Sequence, residues 1–241
     1  MIKFSPIYFD ELDSTNTKCK LLARNGAPHG TAVIAASQTA GKGRLGRRFC
    51  SPKDAGLYCT VLIREGFDAE TVSLITPCAA VATAKAIEEV SGQAAQIKWV
   101  NDIFMGERKL CGILTEASLP DFAVIGIGIN LLHDKKEFPE ELHSIVTSIE
   151  EQTSRIITPK EMEKALLYHL SEELSQLKSK KFMTEYKKRS FLIGKEVDVH
   201  SGNDVFPAKV IDINDNAELI LSLPTGKIIT LFSGEVSVRI R

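Results

Sequence analysis

The amino-acid sequence predicts an α+β fold: strands and helices build a larger first domain, residues 1–190, and short strands alone build a small barrel, residues 191–241. Three observations carry this. Two short apolar runs, 31–36 and 57–63, have the length and composition of buried strands. Two longer stretches repeat apolar residues every three or four positions between helix start and stop signals. From Gly194 onward the apolar period drops to two and turn residues recur, as in a small barrel.

Asp13, Ser14, Thr15 and Asn16 offer capping oxygens to a short amphipathic helix carrying Leu21 and Leu22, which Gly26 ends. Strand 31–36 leads into a polar, glycine-rich loop and then strand 57–63. Residues 70–90 place Leu74, Cys78, Val81 and Ile87 at helical spacing and stop at Gly92, with Pro77 in an early turn or at a kink. Strand-like runs follow at 97–104, 110–116 and 122–131; the last is a candidate edge for pairing two subunits into a homodimer. Thr158, Pro159, Lys160 and Glu161 form a capping box with proline at the first helical position. Met162, Leu166, Leu170, Leu174 and Leu177 then make one apolar stripe, and the basic run 178–181 suits that helix's C-terminus without a nucleic-acid partner. The barrel strands read VDV, FPAKVIDI, ELILSL, KIITLF and EVSVRI, separated by turns at 201–204, 214–216 and 224–226.

The 30 Lys+Arg against 31 Asp+Glu leave a formal charge of −1, so the chain has no overall basic field and nucleic acid is not an expected partner. Any anion site must be local. No apolar run approaches the length of a bilayer span, and the start, MIKFSPIYFD, lacks the pattern of a leader peptide; the expected location is cytoplasmic. Five cysteines without a C-x-x-C and five histidines (His29, His133, His143, His169, His200) without H-E-x-x-H imply reduced thiols and no protein-ligated structural metal.

Positive charge is concentrated in residues 37–53, which hold Lys42, Arg44, Arg47, Arg48 and Lys53, while 31–53 contains no acid. Gly41, Gly43 and Gly46 satisfy G-x-G-x-x-G, but Ser51-Pro52 and a strand follow instead of the helix that a dinucleotide site needs. This reads as a mobile loop that wraps an anion, the alternative being a solvated basic hairpin tip. A second cluster starts at Ile97. Strand alternation sends Trp99, Asn101 and Ile103 one way and Lys98, Val100 and Asp102 the other. Lys109 heads an apolar run, where a cation is costly unless an anion neutralises it, and Gly112 would let a ligand touch the backbone. Gly126 and Gly128 belong to a packed strand or a ligand floor, and taken alone they favour packing.

Together Ser14-Thr15-Asn16, QTAGKGRLGR from Gln38, KWVND from Lys98, RKLCGIL from Arg108, GIGIN from Gly126 and SGEVS from Ser233, in this order and spacing, resemble a biotin–protein ligase. The resemblance spans essentially the whole chain. It implies a class II aminoacyl-tRNA synthetase-like catalytic domain, a mixed sheet with helices on one side, followed by an SH3-like barrel. Because the chain begins at the catalytic domain, it resembles the ligase-only class rather than members with an amino-terminal winged helix-turn-helix that repress the biotin operon.

The activity implied has two steps: biotin and ATP, with Mg²⁺, give biotinyl-5′-AMP, and a lysine of a biotin carboxyl carrier domain, in acetyl-CoA carboxylase or another biotin-dependent carboxylase, then takes the biotinyl group. By position, Lys109 and Arg44 are catalytic, and Asp102 is either an acid near the metal or an orienter of a cation. The biotin site is Ser14, Thr15, Asn16, Gln38, Lys42, Gly43, Arg44, Trp99, Lys109, Gly112 and Leu114. The ATP site is Arg44, Arg47, Asn101, Asn130 and Arg239. Lys42 stands where many relatives have arginine, and Val100 where proline is common. The rival classes are a lipoate or octanoate ligase or transferase, which K-W-x-N-D with the S-T-N triplet disfavours, and a non-catalytic biotin-binding regulator.

Overall fold

The computed structural model describes residues 1–132, 138–202, 204–232 and 236–240. Asn203, His133 and the Ser233, Gly234 and Glu235 part of the last motif lie outside the described residues. The chain runs β1 (Ser5–Leu12), α1 (Thr15–Arg24), β2 (Thr31–Gln38), β3 (Gly56–Ile63), α2 (Ile75–Ser91), β4 (Gln96–Lys98), β5 (Asp102–Met105), β6 (Arg108–Ser118), β7 (Phe122–Asn130), α3 (Ile149–Thr153), α4 (Pro159–Leu174), α5 (Phe182–Arg189) and β8–β12, Glu196–Ser201, Asp204–Ile213, Leu219–Ser222, Ile228–Leu231 and Val236–Ile240. The first seven strands form one mixed sheet, ordered β1-β2-β3-β7-β6-β5-β4, in which β1 and β2 are parallel and the other pairs antiparallel. The last five form an antiparallel sheet ordered β11-β10-β9-β8-β12.

Every residue of β3 is buried because both faces of the sheet are covered. Leu57, Cys59, Val61 and Ile63, with Ile125, Ile127 and Ile129 of β7, share one core with α2 and α4. Leu62, Val33 and Val124 instead pack with Cys19 and Ala23 of α1. The helices therefore do not sit on one side: α1 occupies the face opposite α2 and α4. That face carries a small apolar cluster, so α1 covers only part of it and leaves room beside its N-terminus.

Several sequence expectations change. The run 97–104 is not one strand: β4 and β5 pair antiparallel, Lys98 opposite Asp102, and the chain reverses at 99–101, so strand alternation does not govern Trp99, Val100 and Asn101. The run 122–131 is not an edge. β7 lies in the middle of the sheet between β3 and β6, with every amide row paired, and cannot join two subunits. α4 ends at Leu174, and Leu177 falls in a separate turn, so the basic run 178–181 precedes α5 rather than closing α4; Lys178 pairs with Asp68 at 2.8 Å. The capping box is present, with Thr158 accepting from the Glu161 amide. Among the described residues no helix is long and apolar enough to cross a membrane.

The C-terminal sheet is tied to the hairpin at 99–101. Trp99 Nε1 donates to the Ala217 carbonyl at 2.8 Å, and the buried Tyr186 of α5 donates its hydroxyl to the Val100 carbonyl at 3.1 Å. The hairpin tip is thereby fixed from two sides, which sets where its outward groups point.

Candidate active site

A cavity of about 590 Å³ opens on the α1 face of the sheet. All sixteen site residues named from the sequence line it, drawn from α1, β2, the basic loop, the 99–101 hairpin, β6, β7 and β12. Lys109 and the Gly43–Arg47 stretch of the loop, 62 or more positions apart in sequence, face one space.

The floor is made of glycines. Gly112 pairs with Gly128 across β6 and β7, and Leu114 with Gly126 two residues along on the same face. A Cβ on Gly126 would lie 1.8 Å from Asn16 Oδ1, and one on Gly128 2.4 Å from the Phe49 ring, so both positions are closed to any side chain. Gly126 and Gly128 are thus a floor and a packing device at once: the absent side chains seat Asn16 and Phe49.

The Leu114–Gly126 end is neutral. Asn16 Nδ2 donates to the Leu114 carbonyl at 3.2 Å and to Glu116 at 2.9 Å. The Thr15 amide donates to Gln38 Oε1 at 2.8 Å, and Gln38 Nε2 donates to Ser51 Oγ at 2.7 Å. Ser14 starts α1 without a side-chain cap; Thr15 and Asn16 turn inward instead, which is why this helix start serves the cavity. The Leu22 and Ala23 end of α1 is pinned by Arg64, which bonds the Ala23 and Ala27 carbonyls.

The Lys109–Gly112 end is cationic. Lys109 Nζ lies 2.7 Å from Asp102 Oδ1. The lysine's neutralising partner is therefore internal, and Asp102 holds it beside Gly112. Arg44 donates to Asn101 Oδ1 at 3.3 Å while Asn101 Nδ2 donates to the Ile113 carbonyl at 2.9 Å, so the hairpin tip positions the loop's arginine. Burial holds Arg44 below its ordinary pKa, Asp102 opposing. Lys98 is likewise held below 10.5 by burial, with Asp102 opposing and Lys109, Arg239 and Arg47 adding repulsion. Cations of like sign crowded around one carboxylate are a site waiting for an anion. Asn130 donates to the Thr147 carbonyl at 3.0 Å.

The loop itself is folded back on itself: Phe49 N donates to Gly41 O at 2.9 Å and Gly43 N to Arg47 O at 2.8 Å, with Leu45 and Gly46 at positive φ at its tip. No α-helix follows it, in keeping with the rejection of a dinucleotide fingerprint. Its outer flank borders a second cavity of about 660 Å³ against Thr76, Thr115 and Glu116. Trp99 is only partly a cavity wall; its indole N–H faces the C-terminal sheet. Sequence reasoning assigned no role to Lys98, Phe49 or Thr60, although a lysine before the tryptophan, an aromatic in a glycine-rich basic loop and a lone threonine in an apolar strand are each visible signals.

A model of the biotin/lipoate A/B protein ligase family matches residues 8–130. The chain belongs to this family. Over 239 residues it is 31% identical to the bifunctional ligase/repressor BirA of Bacillus subtilis, covering 96% of this chain and 73% of that protein. It is 29% identical to a biotin–[acetyl-CoA-carboxylase] ligase of Mycobacterium tuberculosis, covering 92% of this chain and 85% of the relative. Among solved structures, a biotin protein ligase from Aquifex aeolicus in complex with biotin and ATP superposes with a TM-score of 0.85 at 30% identity, covering 98% of this chain and 99% of that one.

Proposed function

We propose that this protein is a biotin–[biotin carboxyl-carrier protein] ligase that activates biotin with ATP as biotinyl-5′-AMP and passes the biotinyl group to a lysine of a carrier domain. The observation that carries the reading is one cavity with an uncharged hydrogen-bonding end and a cationic end. Biotin has the same division, an uncharged cyclic urea at one end and a carboxylate at the other.

The first step brings two anions together, the biotin carboxylate and the ATP α-phosphate. Lys109, held by Asp102 beside Gly112, receives the carboxylate and the oxygen that becomes the bridge. A charge pair at about 4 Å in an effective dielectric near 20 is worth on the order of 4 kcal/mol. Arg44, Arg47, Lys98 and Arg239 hold phosphate oxygens, and Asn101 and Asn130 orient the nucleotide. Among the described residues Asp102 is the only carboxylate lining this cavity, and no group of three or more His, Cys, Asp or Glu could cage a metal. That fits magnesium, which needs one or two carboxylates beside phosphate oxygens. When bound it would neutralise triphosphate charge, with Asp102 as its protein ligand or as the orienter of Lys109.

The mixed anhydride hydrolyses if water reaches it, so the basic loop has a second duty: Arg44 pins it to the hairpin and keeps the cavity covered. The acceptor lysine is read as arriving along the loop's outer flank through the second cavity. The C-terminal strands are read as an SH3-like barrel forming its own domain, residues 191–241, that supplies Arg239 and anchors Trp99.

Incubation with biotin, ATP and magnesium tests the reading: pyrophosphate release that requires biotin supports it. Release supported by lipoate but not biotin selects the lipoate class instead, and binding without turnover selects a non-catalytic regulator.

A further inference from the structure

At the centre of β3 stands one hydroxyl that lines neither cavity described above and touches two residues of the neutral end. Thr60 is fully buried, and its Oγ1 lies 2.8 Å from Asn16 Oδ1 and 2.8 Å from Thr15 Oγ1. It has one proton for two neighbours.

The surrounding bonds decide where that proton goes. Asn16 Nδ2 is spent on Leu114 O and on Glu116, both of which can only accept, so the amide orientation is fixed and Asn16 Oδ1 faces Thr60. Glu116 is held in turn by Lys20. A carboxamide oxygen can only accept, so the Thr60 proton goes to Asn16. The contact between the two threonines then requires the Thr15 hydroxyl to donate to Thr60. Gln38 Oε1, the other acceptor within reach of that hydroxyl, lies farther off at 3.0 Å and also takes the Thr15 backbone N–H at 2.8 Å. With its proton turned into the protein, Thr15 Oγ1 presents only lone pairs to the cavity.

We propose that Thr60 is a specificity-determining positioning residue: by donating to Asn16 and accepting from Thr15 it makes the neutral end a hydrogen-bond acceptor that selects a ligand carrying a ring N–H, the cyclic urea of biotin. This assignment rests on the biotin reading above. In a Thr60→Val protein the Thr15 hydroxyl is left with Gln38 Oε1, an acceptor it shares with the Thr15 backbone N–H, so it is held less firmly and turns more readily toward an acceptor in the cavity, and Asn16 loses its partner.

The test is calorimetric affinity for biotin and for a biotin analogue methylated on its ureido nitrogens, measured on wild type, Thr60→Val and Thr60→Ser. Thr60→Val is expected to weaken biotin binding by about tenfold and to lose most of the preference for biotin over the methylated analogue. Thr60→Ser restores both, and pyrophosphate exchange at saturating biotin stays near the wild-type rate in all three. A purely structural role would weaken both ligands equally, and that outcome overturns the assignment, as does an unchanged preference in a folded Thr60→Val protein. If Thr60→Val does not fold, Thr60→Ala takes its place: a lost preference supports the assignment and an unchanged one overturns it. Wild type that binds no biotin at all overturns the biotin reading together with this assignment, whereas tight wild-type binding with an indifferent Thr60→Val overturns this assignment alone.

Discussion

The two ends of the cavity are built from different materials. At the neutral end, Thr15, Asn16 and Gln38 sit on α1 and β2 and bond to one another, to β3 and to β6, so their geometry is set before any ligand arrives. At the cationic end, Arg44 and Arg47 sit on a loop facing Lys98 of β4, Lys109 of β6 and Arg239 of β12, and like charges face each other across one carboxylate. A rigid end reads shape and hydrogen-bond pattern. A charged end whose arginines ride on a loop gains stability when an anion enters, and so couples closure of that loop to substrate.

The sharpest way to break this comparison is at Lys109. Lys109→Ala is expected to slow biotin-dependent pyrophosphate exchange by about three decades, the equivalent of roughly 4 kcal/mol, while the thermal transition stays close to wild type. Normal exchange in a folded variant would remove Lys109 from the reaction. Next in size is the rigid end. Gly126→Ala drives a methyl into the Asn16 carboxamide and should cost about 1–3 kcal/mol of stability along with most of the biotin affinity, read by denaturant titration and calorimetry. Retained affinity would mean that Asn16 does not shape the ligand's seat.

The covering role of the loop shows in leakage of the intermediate, read per adenylate formed because Arg44 also holds phosphate. Arg44→Ala should raise free biotinyl-AMP severalfold over wild type when no acceptor is present, measured by chromatography. A level no higher than wild type would leave Arg44 with charge compensation alone. The smallest effect is a pH dependence at Lys98. Burial keeps its folded pKa below 10.5, so the free protein sheds this proton at lower pH than an ordinary lysine does, and a bound anion returns it. Pyrophosphate binding should therefore take up a proton and weaken as pH rises through that folded value, and Lys98→Arg, which stays charged, should remove the inflection. An inflection that survives in Lys98→Arg would belong to another group.

Much of the fold was legible because the buried strands and capped helices obey one period at a time. Thr31–Gln38, Gly56–Ile63 and the capping box at Thr158 announce themselves through composition and spacing. β1 carries no clear strand signal, since it is a half-exposed edge whose pairing with β2 comes from 26 residues later in the chain. The hairpin at 99–101 passes for one strand in the sequence because β4 and β5 are three and four residues long, shorter than any period can reveal. The site followed the same division. The cavity's walls were legible as motifs, whereas the Lys109–Asp102 pair, the Arg44–Asn101 contact and the burial of Thr60 exist only once β6 folds against β5 and β3 against α1.

The division of the cavity is tested most directly by removing one charge from the ligand and one from the protein. Calorimetric affinities of biotin and of biotinol, its uncharged primary alcohol, are compared in wild type and Lys109→Ala. Wild type is predicted to prefer biotin by about tenfold or more, and the variant to show almost no preference, since carboxylate and lysine act on each other. An undiminished preference in Lys109→Ala would place the carboxylate elsewhere and contradict the account.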